Sequence, residues 1–169
     1  MELKEAILKR RSVRKFSNEQ IKENDLETIL HMASAGPSAM NKKPWEFYVI
    51  RNKELLKQVR FAGKYEGYES PLAIVVAGNM DNALPNEMQE YWVQDCSAAT
   101  ENILLAATSL GLGSVWEGIY PIKQSVNNLQ KLLNLPSNLI PLNIIYIGYP
   151  LENPEARDQY DENKIHIIK

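Results

Sequence analysis

Along the chain the spacing of apolar residues switches between helical and strand periods, and each switch marks an element. Residues 2–10 read as a short amphipathic helix with Leu3, Ile7 and Arg10 on one side. In "ENDLETILHMASAG" the residues Leu26, Ile29, Leu30 and Ala33 recur at helical spacing. Asn24 and Glu27 make an N-cap and N3 pair for that helix, Ser17 with Gln20 is a competing cap, and Gly36-Pro37 stops it. "WEFYVIR" (Trp45 to Arg51) is aromatic and β-branched and reads as a strand. Asn52 then caps a short helix carrying Leu55, Leu56 and Val59. "LAIVVAGN" is apolar without alternation, the pattern of a strand buried on both faces.

A long helix follows, about Met88 to Leu110, rich in alanine and therefore suited to a buried, close-packed position, with Gly111 as its C-terminal stop. "LGSVWEG" (Leu112 to Gly118) is a third strand, "VNNLQKLLNL" a helix closed by Pro136, and "LNIIYIGYP" (Leu142 to Pro150) a fourth strand. After the polar arm "LENPEARDQYDEN", the alternating "KIHII" reads as a terminal strand. Such a strand needs a sheet edge, and the arm is long enough to reach a neighbour's, which points to a dimer. Strands separated by helices, with helices before the first strand, give an α+β or α/β sandwich. The chain has 169 residues, which suits one domain, 1–169, with no linker or repeat.

Composition changes this picture little. Hydrophobic residues make up 44% and charged residues 24%, as in ordinary globular proteins. A formal net charge of −2 argues against a surface built for nucleic acid or membrane. The apolar run "LAIVVAG" is far too short to span a bilayer, and "MELKEAILKRR" lacks the apolar stretch of a signal peptide. The lone Cys96 allows no internal disulfide, and the expected location is the cytoplasm. Familiar motifs fail. Trp116 stands where a dinucleotide fingerprint needs glycine, Ile119-Tyr120 replace the Lys-Ser/Thr of a P-loop, and there is no Gly-x-Ser-x-Gly. His31 and His166 are too far apart for metal-ligand spacing. Asp81 and Asp95 could act as acid or base, but neither has a visible partner.

Two stretches carry chemistry. "LKRRSVRKF" packs Lys9, Arg10, Arg11, Arg14 and Lys15 around Ser12. Arginine forks match phosphate oxygens, and Ser12 adds a neutral donor. Helical spacing would set Arg10 and Arg14 on one face, where an anion between them would relieve their repulsion. A solvated basic face is the commoner fate of such a run. "GPSAMNKKPW" (Gly36 to Trp45) places the turn formers Pro37, Ser38 and Asn41 between a helix end and a strand start, exposing backbone groups to a ligand. Taken alone it is an ordinary loop.

Together, "RRSVRKF" and "ASAGPSAMNKKPWEFYVI" resemble the nitroreductase family of FMN-dependent oxidoreductases. "AATENILLAATSLGLGSVWEG" is similar to its central helix and Gly-rich strand, "IIYIGYP" to its last core strand, and "RDQYDENKIHIIK" to its C-terminal segment. The resemblance implies a central, mainly antiparallel sheet flanked by helices, and a homodimer whose C-terminal segments add to the partner subunit. Two FMN molecules would lie at the interface. By the same resemblance Arg10, Arg11, Ser12 and Arg14 hold the phosphate, the ribityl chain and the pyrimidine edge. Pro37, Ser38, Ala39, Met40 and Asn41 line the flavin from the partner subunit, and Trp116, Glu117 and Gly118 its other side. Lys164 matches a basic residue that reaches the phosphate.

The implied activity is NAD(P)H-dependent reduction of nitroaromatics, quinones or similar electron-poor small molecules, by ping-pong hydride transfer through flavin N5. No side chain is nominated as catalytic. The chain is short for the family, so Lys64, Tyr65, Tyr68 and Tyr91 are the candidates for covering the flavin face. Alternatives on the same fold are flavin-dependent dehydrogenation or dehalogenation, and a flavin-binding redox sensor without turnover. A nucleic-acid binder would instead show steep salt dependence and no flavin.

Overall fold

The computed structural model describes residues 1–169. Its centre is a four-stranded sheet of β1 (Trp45–Ile50), β2 (Leu72–Asn79), β3 (Gly113–Gly118) and β4 (Leu139–Gly148). The spatial order is β1-β2-β4-β3 and every pairing is antiparallel. The helices are α1 (Leu3–Lys9), α2 (Glu23–Ser34), α3 (Lys53–Val59), α4 (Tyr91–Ser109) and α5 (Lys123–Leu132).

The side-chain alternation of β2 explains the layers. Leu72, Ile74 and Val76 join Ile145 and Ile147 of β4 against α2 and α4 in one buried cluster. Ala73 and Val75 point the other way and join Ile144 and Tyr146 against α3 and α5 in a second. A strand feeding two cores must be apolar throughout, and Leu72 to Ala77 are at most 1% exposed. On α4, Ala99, Ala106 and Ala107 are fully buried, so the small side chains do let the helix sit close.

Several expectations change at element ends. Asn24 lies inside the first turn of α2; Lys22 occupies the cap position and no side chain caps the helix. Asn52 does cap α3, its side chain accepting from the Leu55 amide. The long helix begins at Tyr91, after a separate 3-10 turn at Asn86–Met88. Gly111 follows it at φ 76°, a left-handed conformation that glycine adopts without strain.

The two chain ends depart most from the sequence pattern. Arg10 and Arg14 do not share a helical face, because α1 ends at Lys9 and residues 12–16 run extended. Ser12 bridges Ser114 of β3 and Phe16 bridges Pro150, which turns Val13 and Phe16 into the core. At the other end "KIHII" is not a strand. A 3-10 turn occupies Glu162–Lys164, and Ile165, Ile167 and Ile168 are 55%, 79% and 96% exposed. A strand needs a ladder partner, and no edge of this chain's own sheet is paired with the tail. No helix is long and apolar enough to cross a membrane.

Candidate functional site

The basic segment is joined to the outer edge of β3 at Ser114 and then to Pro150 beyond the end of β4. The Val13 amide donates to the Ser114 carbonyl (3.0 Å), and Gly113 permits the approach, since a Cβ there would lie 2.7 Å from Val13 Cγ1. Polar side chains of the segment are left facing outward. Arg10 sits 3.6 Å from Glu101 of α4. Arg11 bonds only the Glu155 carbonyl, and Arg14 donates to the Tyr68 hydroxyl (3.3 Å) and weakly to the Ser12 carbonyl (3.4 Å). The Arg14 backbone amide donates to Glu152 Oε1 (2.7 Å), but neither the Arg11 nor the Arg14 guanidinium has a carboxylate partner, so both remain available to an anion. Close by, Ser114 Oγ is buried without a hydrogen-bond partner.

At the far end of β3 a cavity of ≈ 250 Å³ opens. Lys64, Tyr65 and Tyr68 line it together with Trp116, Glu117 and Gly118, with Glu66 and Ile122 completing the wall. A Cβ added at Gly118 would meet nothing within 4 Å, so the strand end presents bare backbone to open space. Tyr68 joins this cavity to the arginine segment through Arg14. A larger cleft of ≈ 350 Å³ lies beyond Tyr68 between α3 and the segment before β2. It gathers lysines 53 and 57 with Arg60 and Glu69, and of the sequence-predicted flavin and acceptor residues only Tyr68, which the two cavities share. We therefore centre the site on the smaller cavity.

Glu117 has the most perturbed surroundings there. It stands opposite Ile144 and diagonal to Tyr146, on the face of the sheet that also carries Val115. Tyr146, fully buried, donates its hydroxyl to Glu117 Oε2 (2.8 Å), while Oε1 is buried without a partner. Burial pushes the Glu117 carboxyl above its ordinary value, and the Tyr146 hydrogen bond opposes that only in part. The Tyr146 hydroxyl is raised as well, by burial first and by the Glu117 charge second.

The 37–43 loop is a separate feature. The Ala39 amide donates to Asp95 of α4 (2.8 Å) and the Lys43 amide to Ser38 Oγ (2.9 Å). Asp95, 6% exposed, is thereby a structural anchor for the loop. Met40, Asn41 and Lys43 all have left-handed φ of 48–56°, a concentration of backbone strain, and Met40 is 77% exposed. Pro37, Ser38, Ala39, Met40 and Asn41 do not line the cavity of their own chain. Tyr91 starts α4 and is likewise outside it. Lys164 lies in the exposed tail, 3.8 Å from Asp161. No group of three or more His, Cys, Asp or Glu side chains could hold a metal ion. Cys96 is buried, and burial followed by the neighbouring Asp95 charge pushes its thiol up to about 12, an inert setting.

Sequence reasoning missed Tyr146, Gly63 and Gly67, which surround the Glu117 side chain. A phenol among the isoleucines of β4, and two glycines four apart in a loop rich in charge and tyrosine, are the available signals.

The chain and its fold match a known family. The family model described as Nitroreductase family covers residues 7–62 and 61–149, and the chain belongs to that family. A Methanothermobacter thermautotrophicus protein provisionally named NADH dehydrogenase/NAD(P)H nitroreductase is 43% identical, over 100% of this chain and 88% of that protein. An FMN-dependent nitroreductase from Clostridium difficile R20291 superposes with a TM-score of 0.88 at 29% identity, covering 97% of this chain and 98% of that one. An iodotyrosine deiodinase from Haliscomenobacter hydrossis is 29% identical over 94% of this chain and 84% of its own length.

Proposed function

We propose that the protein is an FMN-dependent oxidoreductase that takes electrons from NAD(P)H and passes them to small electron-poor acceptors such as nitroaromatics and quinones. The observation that carries this reading is the pair of carboxylate-free guanidinium groups, Arg11 and Arg14, beside the Ser114 end of β3, with Arg14 joined through Tyr68 to a cavity floored by bare backbone at Gly118. The residues fit the cofactor. A phosphate needs fixed cations, and a planar ring needs a wall where no Cβ intrudes. Membership of the nitroreductase family and the FMN-dependent neighbour support the same assignment.

Bound FMN would supply two-electron redox chemistry, accepting from NAD(P)H and donating to the second substrate in a ping-pong exchange. The chain's own contribution is binding and tuning. Arg10, Arg11 and Ser12 would hold the phosphate and ribityl chain. Arg14, held by Tyr68, would favour the more negative reduced form and raise the reduction potential. Lys64, Tyr65 and Tyr68 with Trp116 would shape the acceptor's side and keep water from it. No acid or base at the acceptor is required of the protein.

The functional unit we infer is a homodimer. β1 leaves one edge of the sheet unpaired, and apolar Ile165, Ile167 and Ile168 project from the tail with no cover within the chain. The same applies to Leu3, Ile7 and Leu8, which α1 turns outward while only Ala6 packs inward. Exchange of tails would cover such surfaces and bring a partner's 37–43 loop and Lys164 toward the flavin. The resemblance to iodotyrosine deiodinase favours reductive dehalogenation as the second reading. Initial rates with NAD(P)H and the acceptor both varied test the proposal. Parallel double-reciprocal lines with a quinone or nitroaromatic support it. Turnover confined to a halogenated phenol would select the second reading, and no turnover with either would reject both.

A further inference from the structure

The surroundings of Glu117 contain three oddities with one cause. Tyr146 is a fully buried phenol flanked by isoleucines in β4, and it donates to Glu117 Oε2. Glu117 Oε1 is buried with no partner. Gly63 and Gly67 lie so close that a Cβ at Gly63 would overlap Oε1, and one at Gly67 would overlap the Tyr146 hydroxyl and come within 2.8 Å of Oε2. The backbone of residues 61–68 therefore rests directly on a carboxyl–phenol pair, and this requires glycine at both contacts.

Beyond the last turn of α3 and the buried Ala62, the segment is tied by the Gly67 amide to the Arg60 carbonyl (2.7 Å), a long bond from Asn128 to the Ala62 carbonyl (3.4 Å), the ion pair of Glu66 with Arg60, the bond from Arg14 to the Tyr68 hydroxyl (3.3 Å) and the edge-on contact of Tyr68 with Tyr146 (5.6 Å between centroids). Residues 63–66 have no further backbone tie, and with Gly67 they are the part that rests on Glu117. Phe61 and Tyr65 are 64% and 73% exposed. A carboxylic acid can sit beneath such a segment with one hydrogen bond. A carboxylate would confront backbone carbon with a buried, donorless charged oxygen.

We propose that protonated Glu117 is the seat that holds residues 61–68 closed over the cavity, and that ionisation of this carboxyl releases the segment. Glu117 is thereby a positioning residue that sets which acceptors the cavity takes. The latch itself needs no flavin; its consequence for acceptors rests on the function proposed above. The groups that face Glu117 do not offer it a compensating charge. From β4 comes only neutral Tyr146. From the segment come Tyr68, Glu66, Tyr65 and Lys64, the ammonium of Lys64 lying over the Tyr65 ring (5.4 Å). Arg60, at the end of α3, is engaged by Glu66 and Glu69 but keeps a buried Nε without a partner, and its charge is felt at Tyr146 rather than paired with Glu117; Arg14 reaches the cluster only through the Tyr68 hydroxyl.

Hydrogen exchange of flavin-free protein at about pH 5 and about pH 9 tests the latch, a range spanning the ionisation of buried glutamates. Amide protection in 61–68, corrected for intrinsic rates, should fall at least about tenfold at the higher pH as the segment opens. Glu117→Gln, neutral at both, should stay protected throughout. Tyr146→Phe removes a hydrogen bond that favours the carboxylate, so release should move to higher pH. Wild-type protection that ignores pH, or a Gln variant that reproduces the wild-type fall, would overturn the proposal. With flavin and an acceptor present, KM should rise with pH in the wild type and not in Glu117→Gln. A protein that binds no flavin would fail the functional reading while leaving the exchange result decisive for the latch.

Discussion

The two ends of β3 both carry a glycine, and the two glycines do opposite things. At Gly113 the missing side chain admits Val13, and the arginine segment is thereby pinned to the sheet. At Gly118 the missing side chain leaves open space beside the cavity. One glycine packs protein against protein; the other keeps protein away from a place where a ligand could lie. The six-residue strand thus has a structural end and a functional end, and Glu117 belongs to the latter.

The sharpest way to break this contrast is to fill the packed end. Gly113→Val should cost about 3 kcal/mol, the upper part of the usual overpacking range, because Val13 must move and the bridge at Ser12 with it. Thermal or urea unfolding would measure it, and FMN binding should fall in parallel. Next in size is Arg14→Ala, which leaves the fold intact but removes a cation with no carboxylate partner. FMN affinity should drop by about tenfold to a hundredfold, in keeping with a hydrogen bond to a charged group. Isothermal titration would read this; unchanged affinity and potential would remove Arg14 from the site.

A smaller effect should appear as pH dependence. Glu117 has its carboxyl raised in the folded chain, so the native state binds this proton more tightly than the unfolded state. The contribution is complete below the ordinary glutamate value of about 4.3 and is lost as pH rises through the raised folded value. Denaturant melts across that interval should slope downward in the wild type and lose that component in Glu117→Gln. The smallest stability change belongs to Gly118→Ala, within about 0.5 kcal/mol because nothing stands in the way. Its mark should be on the ligand side, as weaker flavin or acceptor binding at unchanged melting temperature. Equal destabilisation by alanine at positions 113 and 118 would erase the distinction between the two ends.

How much of this could be read from sequence differs by region. Strands were legible where burial is two-sided, as in β2, because a run with no polar position has few other homes. The cap at Asn52 was legible because capping is local, whereas α2 starts on uncapped Lys22, and only tertiary packing selects that start. The family came from two short stretches whose combination is distinctive. The arginine segment's extended path was hidden, since a basic run has no apolar period long enough to separate helix from strand. The Glu117–Tyr146 pair was hidden for another reason: it joins residues twenty-nine apart in sequence, across two strands and under a loop. "KIHII" has strand alternation without a partner in its own chain, so its pattern describes apolar residues that the chain leaves uncovered.

The account stands or falls on the cofactor. The most direct measurement is a visible absorption spectrum of the purified protein supplemented with FMN and freed of excess, taken before and after anaerobic NADH or NADPH. The account predicts a protein-bound flavin band that bleaches on addition of at least one nucleotide. A colourless protein that takes up no FMN would contradict it, and the arginines along β3 would then be an anion site serving some other ligand.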